Sequence, residues 1–592
     1  MTKLPPDRPL AARFAKLLRR AVPACLAVLM AAPAPAAQLS QLTPQQQLQE
    51  QRLPPDATGR IEQRFREAPT PPPGPAPPLL QVEPPPAEEA PQSAADIPLQ
   101  IESLTLTGVT AYKPEELEQY WKDRIGKPGK LGDLFEIASE ITARYRNDGY
   151  VLSRAVVPAQ EIEGGKVEIR VIEGYVAQVI FEGSDDRPDI LRATGERITD
   201  VKPIRINELE RYMLLLNDLP GVTATSVLKP SPDQTGAADL VVTIERDMLQ
   251  NFTTIDDRGT RYVGPVQYTL GTRINSAFGL GDQTFIRGIT TPLFPNELMA
   301  FDFNNQQILD EEGTTLALGA NFAQAHPGFT LAPLKLTSDA STLGFTLTHP
   351  LIRSRTETLK VNVQLTANQY RTGTATTADP ILRDNIRSFR AGFEYDLVDE
   401  FRGASQLLVE FSQGLEVFGA SKPGQAFLSR AVGRPDYTKL NFDLSRAQGL
   451  GGSWTLVAGL TAQTAFTSLL ASEQFGLGGS TFLRAYDPSD LVGDSGIAGR
   501  FQLQWGDKPE TWYLKNYDLY SYFDIGQTQN IVAVPGEKTT DAAIAIGVGT
   551  HFTLTEWSNG YFEVSQPIMR GVPTEGTHDH FPRVFFALIA KF

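Results

Sequence analysis

From about residue 250 to the terminal Phe592 the sequence runs in dyads, one side apolar and the other polar or small. Leu316, Leu318, Ala320 and Phe322 alternate with Ala317, Gly319 and Asn321, and Leu359, Val361, Val363 and Leu365 alternate with Lys360, Asn362 and Gln364. A period of two is that of a β-strand, whose successive side chains point to opposite faces. After residue 36 no uncharged apolar run reaches the roughly 20 residues that a spanning helix needs. If the chain enters a membrane, it therefore does so as a closed β-barrel, which leaves no unpaired edge in lipid. A soluble sandwich alternates too, but its apolar faces converge on a core, whereas a membrane barrel turns them to lipid and keeps Lys, Asn and Gln in a wet lumen.

Three further features favour the barrel. Residues 1–36 have the layout of a secretory signal: Arg13, Lys16, Arg19 and Arg20, an apolar run over 21–30, then small residues through Ala34-Pro35-Ala36. That run is too short for a membrane anchor. Cleavage would remove Cys25, the only cysteine, leaving no disulfide and no thiolate metal site in the mature chain. The last dyads, Val584, Phe586, Leu588, Ala590 and Phe592, suit a terminal lipid-facing strand. Spread over about 16 strands, residues 250–592 allow about 21 residues per strand and turn, enough for tilted strands of about 9–11 residues. The chain carries −15, and losing the basic signal takes it to about −20, which argues against a nucleic-acid partner.

Between signal and barrel the composition changes twice. Residues 37–67 contain Thr43-Pro44-Gln45-Gln46, with a capping hydroxyl, a proline suited to the first helical turn and a glutamine three residues on, so a short polar helix is expected there. It has no stripe to bury in a core, and either stays in solvent or sits in a wet lumen. Residues 68–99, with Pro69, Pro71, Pro72, Pro73, Pro75, Pro77 and Pro78, read as a stiff, extended tether.

Residues 100–174 and 175–246 repeat one pattern, strand, helix and closing strands, and read as two small α+β modules. In the first, Leu104 and Leu106 open a strand, Leu134, Ile137, Ala138, Ile141 and Tyr145 share a helical face that Gly149 caps, and 151–157 and 167–172 are strands joined across Gly164-Gly165. In the second, 179–181 opens, Asn207 caps a helix burying Leu209, Tyr212, Met213 and Leu216, and Leu240, Val242 and Ile244 alternate in the last strand.

No phosphate-binding loop, H-E-x-x-H or G-x-S-x-G signature occurs, so neither catalytic residues nor cofactors are expected. His578-Asp579-His580 reads as a solvated loop, and no metal site is expected.

Several segments, taken in order, carry a resemblance: Gly149-Tyr150-Val151 and Glu173-Gly174; Asp257-Arg258-Gly259; Asn275 with Gly279-Leu280-Gly281-Asp282; His349-Pro350-Leu351-Ile352-Arg353; Leu483-Arg484-Ala485-Tyr486 before Gly493-Asp494-Ser495-Gly496; and Phe523-Asp524-Ile525-Gly526. Over residues 100–592 the chain resembles the transporter component of two-partner secretion systems, of the haemolysin and haemagglutinin secretion type, within the superfamily of outer-membrane barrels carrying periplasmic POTRA modules.

The resemblance implies a transmembrane antiparallel barrel of about 16 strands after two POTRA modules. It also implies that Leu483, Arg484, Ala485 and Tyr486 lie at the tip of a long extracellular loop folded into the lumen, with Arg484 meeting Asp524 of the inner-wall motif Phe523, Asp524 and Gly526. Ala485 replaces the usual glycine, so any feature needing positive φ there is not carried over. The helix around Thr43, Pro44 and Gln46 becomes a candidate pore plug. The implied function is an outer-membrane pore, set in lipid with its modules in the periplasm, that recognises a large exoprotein by an N-terminal secretion domain and exports it without nucleotide hydrolysis. Two alternatives differ in kind. An insertase of other barrels usually has more modules and no tethered plug, and a passive porin or adhesin has no need of modules or an in-folded loop.

Overall fold

The computed structural model describes Leu80–Gln81 and residues 96–592, apart from 184–188, 233, 235, 280, 294–296, 375–378, 510 and 512. The segments 1–36 and 37–67 and most of 68–99 lie outside the described residues.

In the first module Lys166–Ile172 pairs with Ser103–Thr107 in parallel and with Arg154–Val156 antiparallel. The helix Leu131–Asn147 buries Leu134, Ile137, Ala138, Ile141 and Tyr145 against this sheet, the face that the spacing predicts. Its start is held by Asp133, whose Oδ2 accepts the Lys130 N–H at 2.8 Å, and a carboxylate in the first turn also suits the helix dipole. It ends at Gly149 with φ +91°, where the Gly149 N–H bonds to Arg146 O and the Tyr150 N–H to Tyr145 O. This is the paired arrangement that a left-handed glycine permits. The strand expected over 151–157 shortens to Arg154–Val156, because the chain turns first, with the Ser153 N–H bonded to Tyr150 O.

Glu173 ties this module together. Its carboxylate accepts the N–H groups of Thr110 and Ala111 at 2.8 Å, the Thr110 hydroxyl, and the hydroxyl of the fully buried Tyr145 at 2.7 Å. Burial works to raise the Glu173 carboxyl, but these hydrogen bonds outweigh it and hold the group below the usual carboxylate range.

The second module has a sheet of Tyr175–Glu182, Ala237–Arg246 and Val222–Pro230, with Leu80–Gln81 added outside the last. The helix Ile206–Asn217 buries Leu209, Tyr212, Met213 and Leu216 as expected, and Leu214 and Leu215 besides. Asn207 is not its cap. Arg205 holds the N-cap position with extended backbone, and Asn207 lies within the first turn, its Oδ1 accepting the Glu208 N–H. A second helix, Asp189–Asp200, was not expected. It buries only Leu191, Thr194, Gly195 and Ile198, too sparse an apolar stripe to signal a helix from sequence.

Residues 249–591 form a closed antiparallel barrel of 16 strands, each bonded to its sequence neighbours. The first strand, Leu249–Asp256, meets the last, Arg583–Lys591, over 252–256 against 587–591. The dyads sort as predicted: Val361, Val363 and Leu365 are 37%, 44% and 50% exposed on the outer face. Apolar surface of this extent, repeated around the ring, requires lipid.

Because an even number of antiparallel strands alternates its connections between two ends, the turns 276–281, 309–314 and 354–356 share one end. The second module docks there. Arg353 makes a two-pronged pair with Asp218 at 2.7 and 2.8 Å, Arg211 and Tyr212 bond to Glu312 at 2.9 and 3.1 Å, and Arg197 bonds to Glu311 at 2.9 Å. Asn275 Nδ2 donates to Asp247 O at 2.7 Å, and Ile308 packs on the module's core.

The Glu173 carboxyl gives a pH-dependent expectation. A folded value below the unfolded one means that its stabilisation is complete above the unfolded carboxyl range and is lost as pH falls through the depressed value. Glu173→Gln should cost the first module about 1 kcal/mol at pH 7, a figure reduced for partial exposure, and should remove this acid-linked loss. Hydrogen exchange of the helix Leu131–Asn147 in the full-length protein, at pH 7 and pH 4, measures both.

Candidate functional site

The segment 466–494 joins the strands Trp454–Ala465 and Ser495–Asp507 at the end of the barrel opposite the modules. It forms a small hairpin, Phe475–Leu477 with Leu491–Gly493, and folds inward. Leu477, Phe482, Leu483, Ala485 and Tyr486 pack with Tyr520, Tyr522, Ala543 and Ala545 of the inner wall in one buried cluster. Leu483 has φ +55° and its carbonyl accepts the Tyr486 N–H at 2.9 Å, closing the tight turn that presents Arg484. The positive φ thus falls on Leu483 rather than Ala485, so alanine occupies the usual glycine position without that penalty. Tyr486 donates its hydroxyl to Ile544 O and Arg570 O at 3.2 and 3.0 Å.

In the strand Asn516–Gln529 burial alternates strictly from Leu519 on: Tyr520, Tyr522, Asp524 and Gly526 face inward, Phe523 and Ile525 outward. The structure therefore brings Asp524 and Gly526 to the loop and sets Phe523, 40% exposed, on the outer face. Phe523 does not belong to the inner wall, because neighbouring residues of a strand cannot share a face. A Cβ at Gly526 would come within 2.7 Å of a Leu477 methyl and 3.3 Å of a Leu483 methyl, so the loop's leucines pack directly on this bare stretch of wall.

Arg484 and Asp524 are 5% and 0% exposed. The guanidinium grips the carboxylate with two prongs, Nε to Oδ2 at 3.0 Å and Nη2 to Oδ1 at 3.1 Å, and the Arg484 N–H adds a third bond to Oδ2 at 3.1 Å. Its plane lies 3.5 Å from the centre of the Tyr522 ring, while Nη1 donates to Gln502 and lies 3.7 Å from Glu563. Glu563 is shared: Arg258 donates to it at 2.8 Å, to Tyr561 at 2.9 Å, and to the Arg484 carbonyl at 3.0 Å. Arg258 also stacks 3.9 Å from the centre of the Phe585 ring.

Further ion pairs fix the rest of the loop. Glu473 is met by Arg390 at 3.0 Å and Lys439 at 2.7 Å from the inner wall. Asp487 accepts from Arg583 at 2.7 Å and Thr574 at 2.5 Å. Asp494, fully buried, accepts from Arg430 at 2.7 Å and from the N–H groups of Leu469 and Ile531 at 2.9 Å. Sequence reasoning missed Glu473, Gln502 and Glu563, and gave Arg258 no partner. For Glu563, on the strand Ser558–Pro567, the signal available was its phase: a charged side chain on the inward dyad of a barrel strand must find a lumenal partner. Thr43, Pro44 and Gln46 lie outside the described residues. Among the described residues no cluster of His, Cys, Asp and Glu is arranged to hold a metal ion. The arrangement holds the loop against the inner wall.

Comparison with known proteins identifies the scaffold. Residues 236–551, more than half of the chain, match the family described as haemolysin secretion/activation protein ShlB/FhaC/HecB. The chain belongs to this family. Residues 99–174 match the ShlB-type POTRA domain. Among curated relatives, the heme/hemopexin transporter protein HuxB of Haemophilus influenzae is 25% identical over 387 residues, covering 64% of this chain and 67% of HuxB. The outer membrane transporter CdiB of Dickeya dadantii is 22% identical over 405 residues, covering 66% and 68%. CdiB from Escherichia coli has the same fold, with TM-score 0.70 and 19% identity over 94% of this chain and all of that one. CdiB from Acinetobacter baumannii follows at TM-score 0.60 and 15% identity, covering 93% and 98%. This ShlB/FhaC/HecB-family chain is an outer-membrane secretion transporter with its POTRA modules in the periplasm, and it pairs with a large secreted exoprotein.

Replacing Glu473 with Ala leaves Arg390 and Lys439 without the carboxylate they share. The docked loop should lose about 3–5 kcal/mol. Hydrogen exchange in detergent should accelerate across 466–494 while the barrel strands keep their protection; unchanged loop exchange would contradict the anchoring role.

Proposed function

We propose that the segment 466–494 is the gate of the secretion pore and that Arg484–Asp524 is its latch. The observation that carries this reading is the burial of Arg484 in the lumen, held by Asp524 and Glu563 on one side and by the ring of Tyr522 on the other. A structural loop needs no such path through its own pore, whereas a gate must occupy the space its cargo will use. The exoprotein enters unfolded from the periplasm, after capture of an extended segment by the POTRA modules, and displaces the loop as it passes. The absence of phosphate-binding signatures supports export without nucleotide hydrolysis, its direction drawn from folding of the cargo outside. Residues 37–67 are proposed, on sequence grounds, as a plug that leaves the lumen with the gate, and 68–99 as its tether. The barrel boundary at 250, the module boundaries at 100–174 and 175–246, and the cleaved signal 1–36 belong to the same reading.

Removing the chain from its host and finding which large protein vanishes from the medium identifies the cargo, and an unchanged medium would sink the reading. Arg484→Ala should strongly reduce export while leaving insertion in the outer membrane intact, since it strips about 3–5 kcal/mol from the latch and not from the barrel ladder. Asp524→Ala should behave alike, and the double substitution should cost much less than the sum of the two if they act as one pair. Exoprotein in the medium, set against barrel in the membrane, is the measurement. Conductance of the purified barrel before and after deletion of residues 38–60 separates a plugged secretion pore from a passive porin, which should not open further.

A further inference from the structure

Beside the pair of Arg484 and Asp524 lies a guanidinium that takes no part in it. Arg500, on the strand Ser495–Asp507, shares the inward dyad of the buried Ala498 and Gln502. It stands in register with Asp524 on one neighbouring strand and with Gly459 on the other. Its Nε is buried without a hydrogen-bond partner. Among the described residues its guanidinium meets an aromatic ring rather than a carboxylate, lying 5.7 Å from the centre of Phe482 on the in-folded loop. The side chain leans away from Asp524: a Cβ at Gly459 would come within 2.9 Å of Nε and 3.0 Å of Cγ, so the bare backbone of Trp454–Ala465 is the bed on which Arg500 lies.

Directly opposed residues of antiparallel strands have Cβ atoms about 4.5–5.5 Å apart, well within the reach of an arginine toward an aspartate. Here the place is taken, since Arg484 occupies both oxygens of Asp524. Two guanidiniums therefore compete for one carboxylate; one travels with the loop and the other is fixed to the wall. In this group Asp524 and Glu563 stand with Arg258, Arg484 and Arg500. Withdrawing Arg484 leaves two charges of each sign.

Resting on the reading of 466–494 as the gate, we propose that Arg500 is the second partner of Asp524: when the loop leaves, Phe482 uncovers it, and it swings from Gly459 to the carboxylate that Arg484 has vacated. The pore then opens by exchanging one ion pair for another, instead of stranding an uncompensated charge on the wall, which is strongly unfavourable. An occupied Asp524 also delays the return of Arg484, so that a loop displaced by cargo has no empty site to fall back into. Arg500 thus acts on the gate through Asp524, as a positioning residue of the open pore. Closed and open become two discrete arrangements close in free energy, and an arriving chain needs little differential affinity to shift one to the other.

The test uses the full-length protein, in its host with that host's exoprotein as cargo and purified in detergent. Arg500→Gln should reduce export several-fold at normal levels of barrel in the outer membrane. It should also slow hydrogen exchange over 477–486, because the open state loses its ion pair while the closed state keeps its own. Removing a residue that merely supported Phe482 would speed exchange there, and that result overturns the proposal. Arg500→Lys, which keeps a cation opposite Asp524, should recover most of the export; no recovery counts against a role through charge. The exchange of partners is read in a second background. Arg484→Ala frees Asp524, so adding Arg500→Gln to it should lower the melting temperature of the barrel, whereas Arg500→Gln in the native chain should leave it little changed. Equal shifts in the two backgrounds would mean that Arg500 does not reach Asp524, and overturn the proposal. Should Arg500→Gln fail to reach the outer membrane, Arg500→Met takes its place. Unaltered export and loop exchange in Arg484→Ala sink the gate reading and this inference with it, whereas a loosened loop in Arg484→Ala beside unaltered export in Arg500→Gln sinks only the exchange of partners.

Discussion

A guanidinium and a carboxylate buried together in the lumen hold the in-folded loop of this molecule against the wall. Taking each ion out of water costs several kcal/mol, and the cost is returned only where geometry and supporting groups are good. Here Arg484 has two prongs on Asp524, an amide from its own backbone on the same carboxylate, Gln502 and Glu563 beyond it, and an aromatic face beneath it. Apolar side chains of similar volume would often hold such a contact as tightly or better. In the gate proposed above, ions add reversibility, for once water or a polar chain enters the lumen both partners would regain hydration and the balance would tip. Glu473, Asp487 and Asp494 repeat the device along the loop. No covalent link opposes its withdrawal.

Beyond Gly149 and Glu173, which shape the first module, the segments that carry the resemblance fall into two groups in space. Asn275 and Arg353 meet the second module, through Asp247 and Asp218, at the end where the chain enters the barrel. Arg258, Arg484 and Asp524 converge in the lumen. One group fixes where the second module sits and the other fixes the loop.

Legibility in the sequence followed the range of the interactions. The helix of the first module was readable because Leu134, Ile137, Ala138, Ile141 and Tyr145 answer to one local period, and the barrel because its dyads answer to another. Leu214 and Leu215 lie off the face that the spacing marks, and what surrounds Leu215 is not local, since it comes up against Gly313 of a barrel turn. Asn207 has the right chemistry for a cap but lies too far along, as the extended backbone at Arg205 sets the start of the helix. In the lumen, Arg484 and Asp524 were placed by resemblance, while Glu563 escaped notice because its partner Arg258 lies at the far end of the barrel sequence and meets it only when the ring closes. Phe523 was grouped with Asp524 as part of the motif that carries the resemblance, but neighbouring residues of a strand point to opposite faces.

The meeting of the first and last strands is the one place where the ring is joined rather than continued. It runs over 252–256 against 587–591, a brief overlap beside the long ladder between Glu357–Thr374 and Leu382–Val398. Outward pressure from a bulky occupant would fall on the shortest overlap of the hoop. Arg258, which follows the first strand, reaches across to Phe585 of the last strand and to Tyr561 and Glu563 of the one before it, so that a rivet backs the joint from within. Since the same guanidinium also holds the Arg484 carbonyl, the rivet and the bolt share a fastening, and drawing one changes the load on the other.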